Sequence, residues 1–280
     1  MIVRTAILFA IAGSTCHSAR QVLERINAAA TLRFPGVEPR WCFTSAPIRR
    51  KLTAQGIPAP DPTEALAALQ AEGFTRIAVI PLHLTDGMEF RELAEVVTAW
   101  QNRAGHAPQL ALGAPLLTSD AAWQQALRMI LAALYALPQP PPATPDATTP
   151  HRMVLVAHGS TDPCGSQTLQ HAAELCRTVD PRLMLGMLLG QPDQAQVVRR
   201  CQEAGVRTVW LVPCLALPGF SAQNEIAGTD ETSWASALRR AGLDVVPIVR
   251  GLAEYDGIVQ LWLDSAAQIL TKWEANNAVT

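Results

Sequence analysis

His158 stands at the end of a short apolar run, where an imidazole could bind a metal ion or exchange a proton. The run at 154–157 has the length and composition of a buried strand, and Gly159 follows His158 directly. Because glycine lacks a Cβ, the backbone at Gly159 can approach a ligand closely. The alternative is a histidine whose ring is satisfied by neighbouring backbone groups. We favour a functional role for His158 over this alternative and predict a substrate contact at Gly159.

Glu89 is the second candidate, and it follows an apolar run at 75–83 that ends in His83. A carboxylate at the end of a strand could bind a metal ion or accept a proton from a substrate nitrogen, so we assign Glu89 a catalytic role. A helical pattern begins at Phe90, so the alternative is a carboxylate favoured by a helix N-terminus. We expect His83 to pack in the core or to support the groups that contact the substrate, and not to be a primary ligand; we include it among the substrate-binding residues.

Hydroxyl side chains follow two of the apolar runs, as Ser14 and Thr15 in the first half and as Ser160 in the second. At the start of a helix such groups could hold a phosphate or a carboxylate. Serine and threonine are also the commonest N-caps, so a purely structural role is the alternative. We predict substrate contacts for Ser14, Thr15 and Ser160.

The chain contains an internal sequence repeat. Residues 7–15 return as residues 153–161, and residues 73–81 return as residues 205–213, in the same order. In each copy an apolar run of strand length ends in a glycine or proline turn and leads into a helical pattern, as in parallel α/β sheets. The repeat therefore predicts two duplicated α/β domains.

Alignment of the copies places two loops in equivalent positions. Counting from the aligned prolines, Glu89 corresponds to Ser221, which we add to the predicted substrate contacts. His158 corresponds to Ala12, so the histidine departs from the duplicated template. Ligands of parallel sheets bind beyond the carboxyl ends of the strands, so we expect an active-site cleft between the two domains.

The predicted fold is therefore a pair of Rossmann-like or flavodoxin-like α/β domains with mostly parallel sheets. The first domain spans 1–137, a proline-rich linker spans 138–150, and the second domain spans 151–280. Strands are expected at 4–12, 38–44, 75–83 and 110–112, and again at 152–158, 183–188, 207–214 and 244–249, with helices between them and a last amphipathic helix at 256–274.

Composition excludes several classes of protein. A net charge of −2 gives no basic surface for nucleic acid. Six cysteines without C-x-x-C spacing argue against a zinc clip or a disulfide framework and predict reduced thiols in the cytoplasm. Since no apolar stretch reaches about 18 residues, we expect no membrane span. The sequence leaves open whether the chain forms a homo-oligomer.

Taken together, these segments resemble the CbiK-type sirohydrochlorin cobaltochelatases of the class II chelatase superfamily. The resemblance covers nearly the whole chain and rests on residues 13–15, 43–45, 82–83 with Gly87 and Glu89, 113–117, 158–159, Asn224, Asp230 and 233–234. It implies a lyase of cobalamin biosynthesis that inserts Co²⁺, with Fe²⁺ or Ni²⁺ as alternatives, into a tetrapyrrole without an organic cofactor. The family's metal-binding histidine and active-site glutamate correspond to His158 and Glu89.

Two positions depart from the family pattern. Leu189 stands where the family has a glutamate ligand, and Ser221 stands where it has a second histidine. Leucine cannot bind a metal, and serine is a poor ligand for cobalt, nickel or ferrous ions. A chelatase still needs only a weak delivery ligand, a base and a binding cleft, since the metal must pass to the macrocycle. We expect apolar walls from Met88, Leu189, Leu217 and Phe220.

Two other functions fit the same residues. The first is a noncatalytic tetrapyrrole or haem carrier on the same fold, because Leu189 and Ser221 make the site less polar. The second is a small-molecule binding protein that shares only the architecture, since a fold alone does not define a function.

Overall fold

Two four-stranded parallel sheets form the framework of the protein in the computed structural model, which describes residues 3–103, 107–141 and 150–278. The chain divides into two compact units. The first consists of Met1–Leu116 with Val259–Thr280, and the second is Leu117–Ile258.

In the first half of the chain the strands are β1 (Thr5–Ile11), β2 (Val37–Phe43), β3 (Arg76–Pro81) and β4 (Gln109–Leu112), in the order β2-β1-β3-β4. The helices between them are α1 (His17–Arg33), α2 (Ala46–Ala54), α3 (Pro62–Ala71) and α4 (Met88–Gln101). Helix α3 shows why these segments are helical where they are: Asp61 and Glu64 form a capping box at its start, and Pro62 occupies its first position.

The second half begins with α5 (Asp120–Tyr135) and continues through β5 (His151–Gly159), α6 (Pro163–Val179), β6 (Leu183–Leu189), α7 (Gln194–Glu203) and β7 (Thr208–Cys214). A π-helix (Ser221–Ile226), α8 (Trp234–Arg240), β8 (Asp244–Pro247), a 3₁₀ turn (Leu252–Glu254) and α9 (Asp256–Ala278) complete it. The strand order is β6-β5-β7-β8. In the part of the chain that the structure describes, no helix combines the length and apolarity that crossing a membrane requires.

Equivalent strands pair in the same register in the two sheets, which confirms the internal repeat. Ala10 of β1 pairs with Pro81 of β3, and the equivalent Val156 of β5 pairs with Pro213 of β7. The central strands β1 and β5 are fully buried along most of their length, because helices cover both faces of each sheet. The predicted duplicated α/β fold is therefore confirmed, and the eight strands lie where the sequence places them.

The compact units divide the chain differently from the expected boundaries. Helix α5 belongs to the second unit, where Trp123 donates its indole N–H to the carbonyl of Ala172 at 3.0 Å. Most of α9 belongs to the first unit, where Gln260 accepts a hydrogen bond from Arg33 at 2.8 Å. An apolar helix face can pack against any apolar surface, so the sequence alone does not show which unit α5 and α9 belong to. Within the expected linker, residues 142–149 lie outside the described residues.

A buried ionic cluster lies at the amino ends of β5 and β6 in the second unit. Arg182 donates two hydrogen bonds to Asp180, from Nε to Oδ1 at 2.9 Å and from Nη2 to Oδ2 at 2.7 Å. Arg182 also donates to the Tyr135 hydroxyl at 2.8 Å, which fixes the last residue of α5. Burial raises the pKa of Asp180, but the hydrogen bonds and the charge of Arg182 lower it further, so the net pKa lies below its usual value.

Replacing Asp180 by Asn should lower the free energy of unfolding by about 3 kcal/mol, because Arg182 would keep a buried charge without its counterion. Since the folded-state pKa of Asp180 is lowered, the pair stabilises the protein above about pH 4, and this contribution is lost as the pH falls. Asp180→Asn should therefore lose less stability between neutral and acidic pH than the wild type. Chemical denaturation followed by circular dichroism measures both effects.

Asp264→Asn is the matched control, because Asp264 pairs with Arg33 on an exposed helix surface. An exposed pair contributes about 0–1 kcal/mol, so this variant should unfold close to the wild type. Equal losses for the two variants would contradict the role of burial.

Candidate active site

Three polar side chains form a hydrogen-bonded group at the carboxyl ends of β2 and β3 in the first unit. The Thr44 hydroxyl donates to Oε2 of Glu89 at 3.2 Å and lies 3.1 Å from Nε2 of His83. His83 Nε2 and Glu89 Oε2 are 3.6 Å apart. The structure thus brings the predicted Glu89 and His83 together, and it adds Thr44, which the sequence analysis did not assign to the site.

The backbone places these side chains through the ends of the strands. Leu82 donates its N–H to the carbonyl of Ala10 at 2.8 Å, which carries the sheet one residue beyond β3. The carbonyl of His83 accepts from the N–H of Leu116 at 3.0 Å. Gly87 is the N-cap of α4, so Glu89 lies in the first helical turn, where the helix dipole favours a negative carboxylate. The helix N-terminal position of Glu89 is thus confirmed, and its catalytic role stays a prediction.

The hydrogen bonds select one arrangement of protons. A hydroxyl has one proton, and that of Thr44 is donated to Glu89, so Thr44 accepts from an N–H at His83 Nε2. The Nδ1 atom of His83 is buried and has no hydrogen-bond partner within the described residues. The tautomer of His83 with its proton on Nε2 satisfies this geometry, because an unprotonated Nδ1 leaves no buried donor without an acceptor. Glu89 keeps about a third of its side chain exposed and can reach a substrate.

His158 lies at the carboxyl end of β5 in the second unit, and its side chain is exposed. Gly159 next to it has a φ of +83°, and a Cβ on it would lie 1.7 Å from the carbonyl oxygen of Leu189. The backbones of β5 and β6 therefore approach each other too closely for any other residue. Glycine at 159 is explained by this contact, and its predicted role as a substrate contact stays a prediction.

Ser14 and Ser160 make the same turn in the two halves. The hydroxyl oxygen of Ser14 accepts from the N–H of Cys16 at 3.2 Å, and that of Ser160 accepts from the N–H of Asp162 at 3.1 Å. Asp162 caps α6 by accepting from the N–H of Gly165, so Ser160 is not the N-cap. The alternative of serine caps is thus wrong for α6. Thr15 is half-buried beside Ser14, and the substrate contacts of these hydroxyls remain predictions.

A family model described as cobalt chelatase (CbiK) matches residues 5–271. The chain belongs to the CbiK cobalt chelatase family. The chain is 34% identical to the sirohydrochlorin cobaltochelatase CbiKC of Nitratidesulfovibrio vulgaris over 261 residues, which cover 93% of this chain and 89% of the relative. It is 26% identical to the sirohydrochlorin cobaltochelatase of Salmonella typhimurium, with 91% of each chain covered.

Solved structures agree on the fold. SirB from Bacillus subtilis with Fe³⁺ has a TM-score of 0.64 at 15% identity, with 98% of each chain covered. CbiX, whose structure is described as the terminal enzyme for biosynthesis of siroheme in denitrifying bacteria, has a TM-score of 0.53 at 16% identity, with 95% of this chain and 99% of that chain covered. At such identities the likeness confirms the α/β architecture alone.

In this member of the CbiK family, the two positions that we expect to depart from the family pattern lie at the carboxyl end of the second sheet. Leu189 is the last residue of β6, and Ser221 is the first residue of the π-helix after β7. Because β5 lies between β6 and β7, His158 is flanked by these two segments. Within the described residues, no group of three or more histidine, cysteine, aspartate or glutamate side chains is placed to hold a metal ion.

Large apolar side chains are exposed at the same strand ends. Leu189 is 45% exposed and Phe220 is 65% exposed in the second unit, and Met88 is 63% exposed at the start of α4 in the first. Leu217, which the sequence analysis placed with them, is buried instead. The expectation was wrong for Leu217 because the backbone of this loop packs against Gly251, whose Cβ would meet the Leu217 carbonyl carbon at 2.6 Å.

Arg49 lies in α2, shortly after β2. Its guanidinium donates to the carbonyls of Phe43 and Thr44, at 3.0 and 2.9 Å. Arg49 therefore fixes the end of β2. The signal that could have found Thr44 is its position, since it follows a strand at the edge where His83 and Glu89 also lie.

Gly159→Ala should destabilise the second unit by several kcal/mol, because the new methyl group would overlap the Leu189 carbonyl in addition to the cost of about 1–2 kcal/mol for positive φ. Gly242→Ala is the matched control, since Gly242 has a φ of +84° and no atom within 4 Å of its Cβ position. Thermal and chemical unfolding of both variants measure the difference. If the two variants lose the same stability, the close approach of β5 and β6 is contradicted.

Proposed function

We propose that this protein is a chelatase that inserts a divalent metal ion, Co²⁺ in the first place, into sirohydrochlorin. The observation that carries the proposal is the hydrogen-bonded carboxylate of Glu89, a base held at a strand end by Thr44 beside His83. Membership in the CbiK family supports it, and so does the 34% identical relative, which is named a sirohydrochlorin cobaltochelatase.

The reaction exchanges two protons for one metal ion. The ion leaves its water ligands and gains four ring nitrogens, and two pyrrole N–H protons must be removed. Glu89 accepts the two protons one at a time as the general base and releases the first to solvent before it takes the second, while His83 and the Thr44 hydroxyl keep its carboxylate in place. His158 supplies an exposed imidazole that binds the incoming ion and releases it to the ring.

The macrocycle is a large, flat and mostly apolar ring with carboxylate substituents. Exposed apolar side chains at a strand end suit its faces, and Leu189 and Phe220 provide them on either side of the strand that carries His158. The hydroxyls of Ser14, Thr15, Ser160 and Ser221 donate hydrogen bonds to its carboxylates in this proposal. Ser14 and Ser160 accept backbone N–H groups in the free protein, which leaves their own protons available to donate.

The proposal includes the identity of the metal ion. An imidazole binds Co²⁺, Fe²⁺ and Ni²⁺, so Fe²⁺ and Ni²⁺ are alternatives to Co²⁺.

The proposal also includes the cellular compartment. All six cysteines are free thiols, and burial raises the pKa of Cys201 to about 11 and that of Cys176 to about 12, which keeps these two thiols protonated. Unpaired thiols suit a reducing cytoplasm.

The test is the absorbance of sirohydrochlorin mixed anaerobically with Co²⁺, with and without the protein. The wild type should accelerate metal insertion. His158→Ala should abolish the acceleration, because the delivery ligand is lost, and Glu89→Gln should lower kcat by about a hundredfold, the usual loss for a general base. His171→Ala is the matched control, since His171 is an exposed histidine on α6 paired with Asp120.

A shifted pigment spectrum without acceleration, for Co²⁺, Fe²⁺ and Ni²⁺ alike, would overturn the enzymatic proposal. That result would favour a noncatalytic tetrapyrrole carrier.

Phe220→Ala should raise the KM for sirohydrochlorin by about tenfold and leave kcat nearly unchanged, because a buried phenyl ring contributes about 1.5–3 kcal/mol to an apolar contact. Steady-state kinetics of metal insertion measure this change. Leu32→Ala removes another exposed apolar side chain, 84% exposed near the end of α1, and should change neither constant. Equal effects of both substitutions would contradict a specific contact at Phe220.

A further inference from the structure

Thr44 is held in place by its backbone on both sides. Its N–H donates to the carbonyl of Ile11 at 2.8 Å, which ties it to the end of β1. Its carbonyl accepts from the guanidinium of Arg49 at 2.9 Å. Phe43, the residue before it, donates to the carbonyl of Pro60 and accepts from Arg49 as well. A side chain on so constrained a backbone has little freedom to move.

The hydroxyl of Thr44 lies between two groups that differ in charge and in proton content. It donates to the Glu89 carboxylate at 3.2 Å and accepts from His83 Nε2 at 3.1 Å. His83 and Glu89 approach each other at 3.6 Å, which is longer than a good hydrogen bond. The two side chains therefore share Thr44 as their hydrogen-bond partner, in addition to their direct contact.

We propose that Thr44 is a positioning residue, which fixes the rotamer of the Glu89 carboxylate and keeps the proton of His83 on Nε2. For catalysis this inference rests on the proposed function, since Glu89 must meet the pyrrole protons in one orientation. Its structural part, the tautomer of His83, does not depend on any activity. Thr44 acts through Glu89 and His83 and itself contacts no reacting atom of the substrate.

The chemistry of the hydroxyl explains why threonine suits this position. It is at once a donor and an acceptor, so it can join an imidazole N–H to a carboxylate without carrying a charge. Valine has the same shape and neither function. Serine keeps the hydroxyl and loses only the methyl group. The pair of substitutions therefore separates the hydrogen bonds from the packing.

The first readout is the ¹⁵N NMR spectrum of the histidine side chains, with His83 assigned from the spectrum of His83→Gln. In the wild type, above the usual titration range of histidine, His83 should show a protonated Nε2 and an unprotonated Nδ1. In Thr44→Val the two nitrogens should move toward averaged shifts, because Nε2 loses its acceptor. Thr44→Ser should restore the wild-type pattern.

The second readout is kinetic. Thr44→Val should lower kcat about tenfold, the usual scale for a hydrogen bond to a charged group, with the KM for sirohydrochlorin within about twofold of the wild type. Thr44→Ser should recover most of the loss. Thr168→Val is the matched control and should change neither readout, because within the described part of the chain the exposed Thr168 hydroxyl donates to a carbonyl of its own helix.

The outcomes separate the two proposals. An unchanged His83 spectrum in Thr44→Val, or a loss of kcat that Thr44→Ser does not recover, would overturn the inference. If the wild type accelerates no metal insertion, the proposed function fails, and the NMR spectra still decide whether Thr44 sets the tautomer of His83.

Discussion

The burial of β1 and β5 on both faces is the constraint from which the rest of the site follows. Residues 6–10 of β1 and 153–157 of β5 are at most 1% exposed, because helices cover each sheet above and below. A strand in that position cannot hold a reactive polar side chain along its length without burying it. Polar chemistry is therefore confined to the strand ends, and the first residue after the buried stretch of β5 is His158. Ala157 is fully buried and His158 is exposed, since the buried stretch of β5 ends between these two residues.

The duplication supplies two copies of this arrangement, and each has diverged in its own way. Ala12 and His158 occupy equivalent places after equivalent strands, and so do Glu89 and Ser221, counted from prolines that share one register. The first unit has a carboxylate at Glu89, held by neighbouring polar groups. The second has a histidine at His158, and the neighbouring strand ends expose the apolar side chains of Leu189 and Phe220. The common backbone therefore carries two different local chemistries, which is why similarity of fold does not define the site.

The sequence predicted most of this architecture because its strongest signals are local. Apolar runs ended by glycine or proline predict the strands, and a strand followed by helical spacing predicts parallel pairing. The unit to which α5 and α9 belong was not predictable in this way. Contacts such as that of Trp123 with Ala172 join residues far apart in the chain, and an amphipathic pattern is satisfied by any apolar partner.

The candidate site was predictable in part. Residue type and position at strand ends select Glu89 and His83, which the structure brings together, whereas the role of His158 stays a prediction. Thr44 was missed because a threonine after a strand is common, and only the distances to His83 and Glu89 distinguish it. Leu217 was misplaced because apolar residues in a loop give no sign of whether they face the solvent or the core.

The same contrast between backbone and side chain bears on Leu189 and Ser221, the two positions that the resemblance expects to differ from the family's ligands. The contact of Gly159 with the carbonyl of Leu189 is made by the backbone, so it holds the end of β6 beside β5 whatever side chain position 189 carries. The side chain at position 189 therefore sets the chemistry of the strand end without altering the pairing of the strands. An apolar side chain there is compatible with the proposed reaction, because every protein ligand must be exchanged for ring nitrogens before the product forms, and tight binding of the free ion would raise that barrier. In the function that we propose, the strand ends do not store the ion, and they offer the exposed imidazole of His158 and the exposed apolar side chains of Leu189 and Phe220.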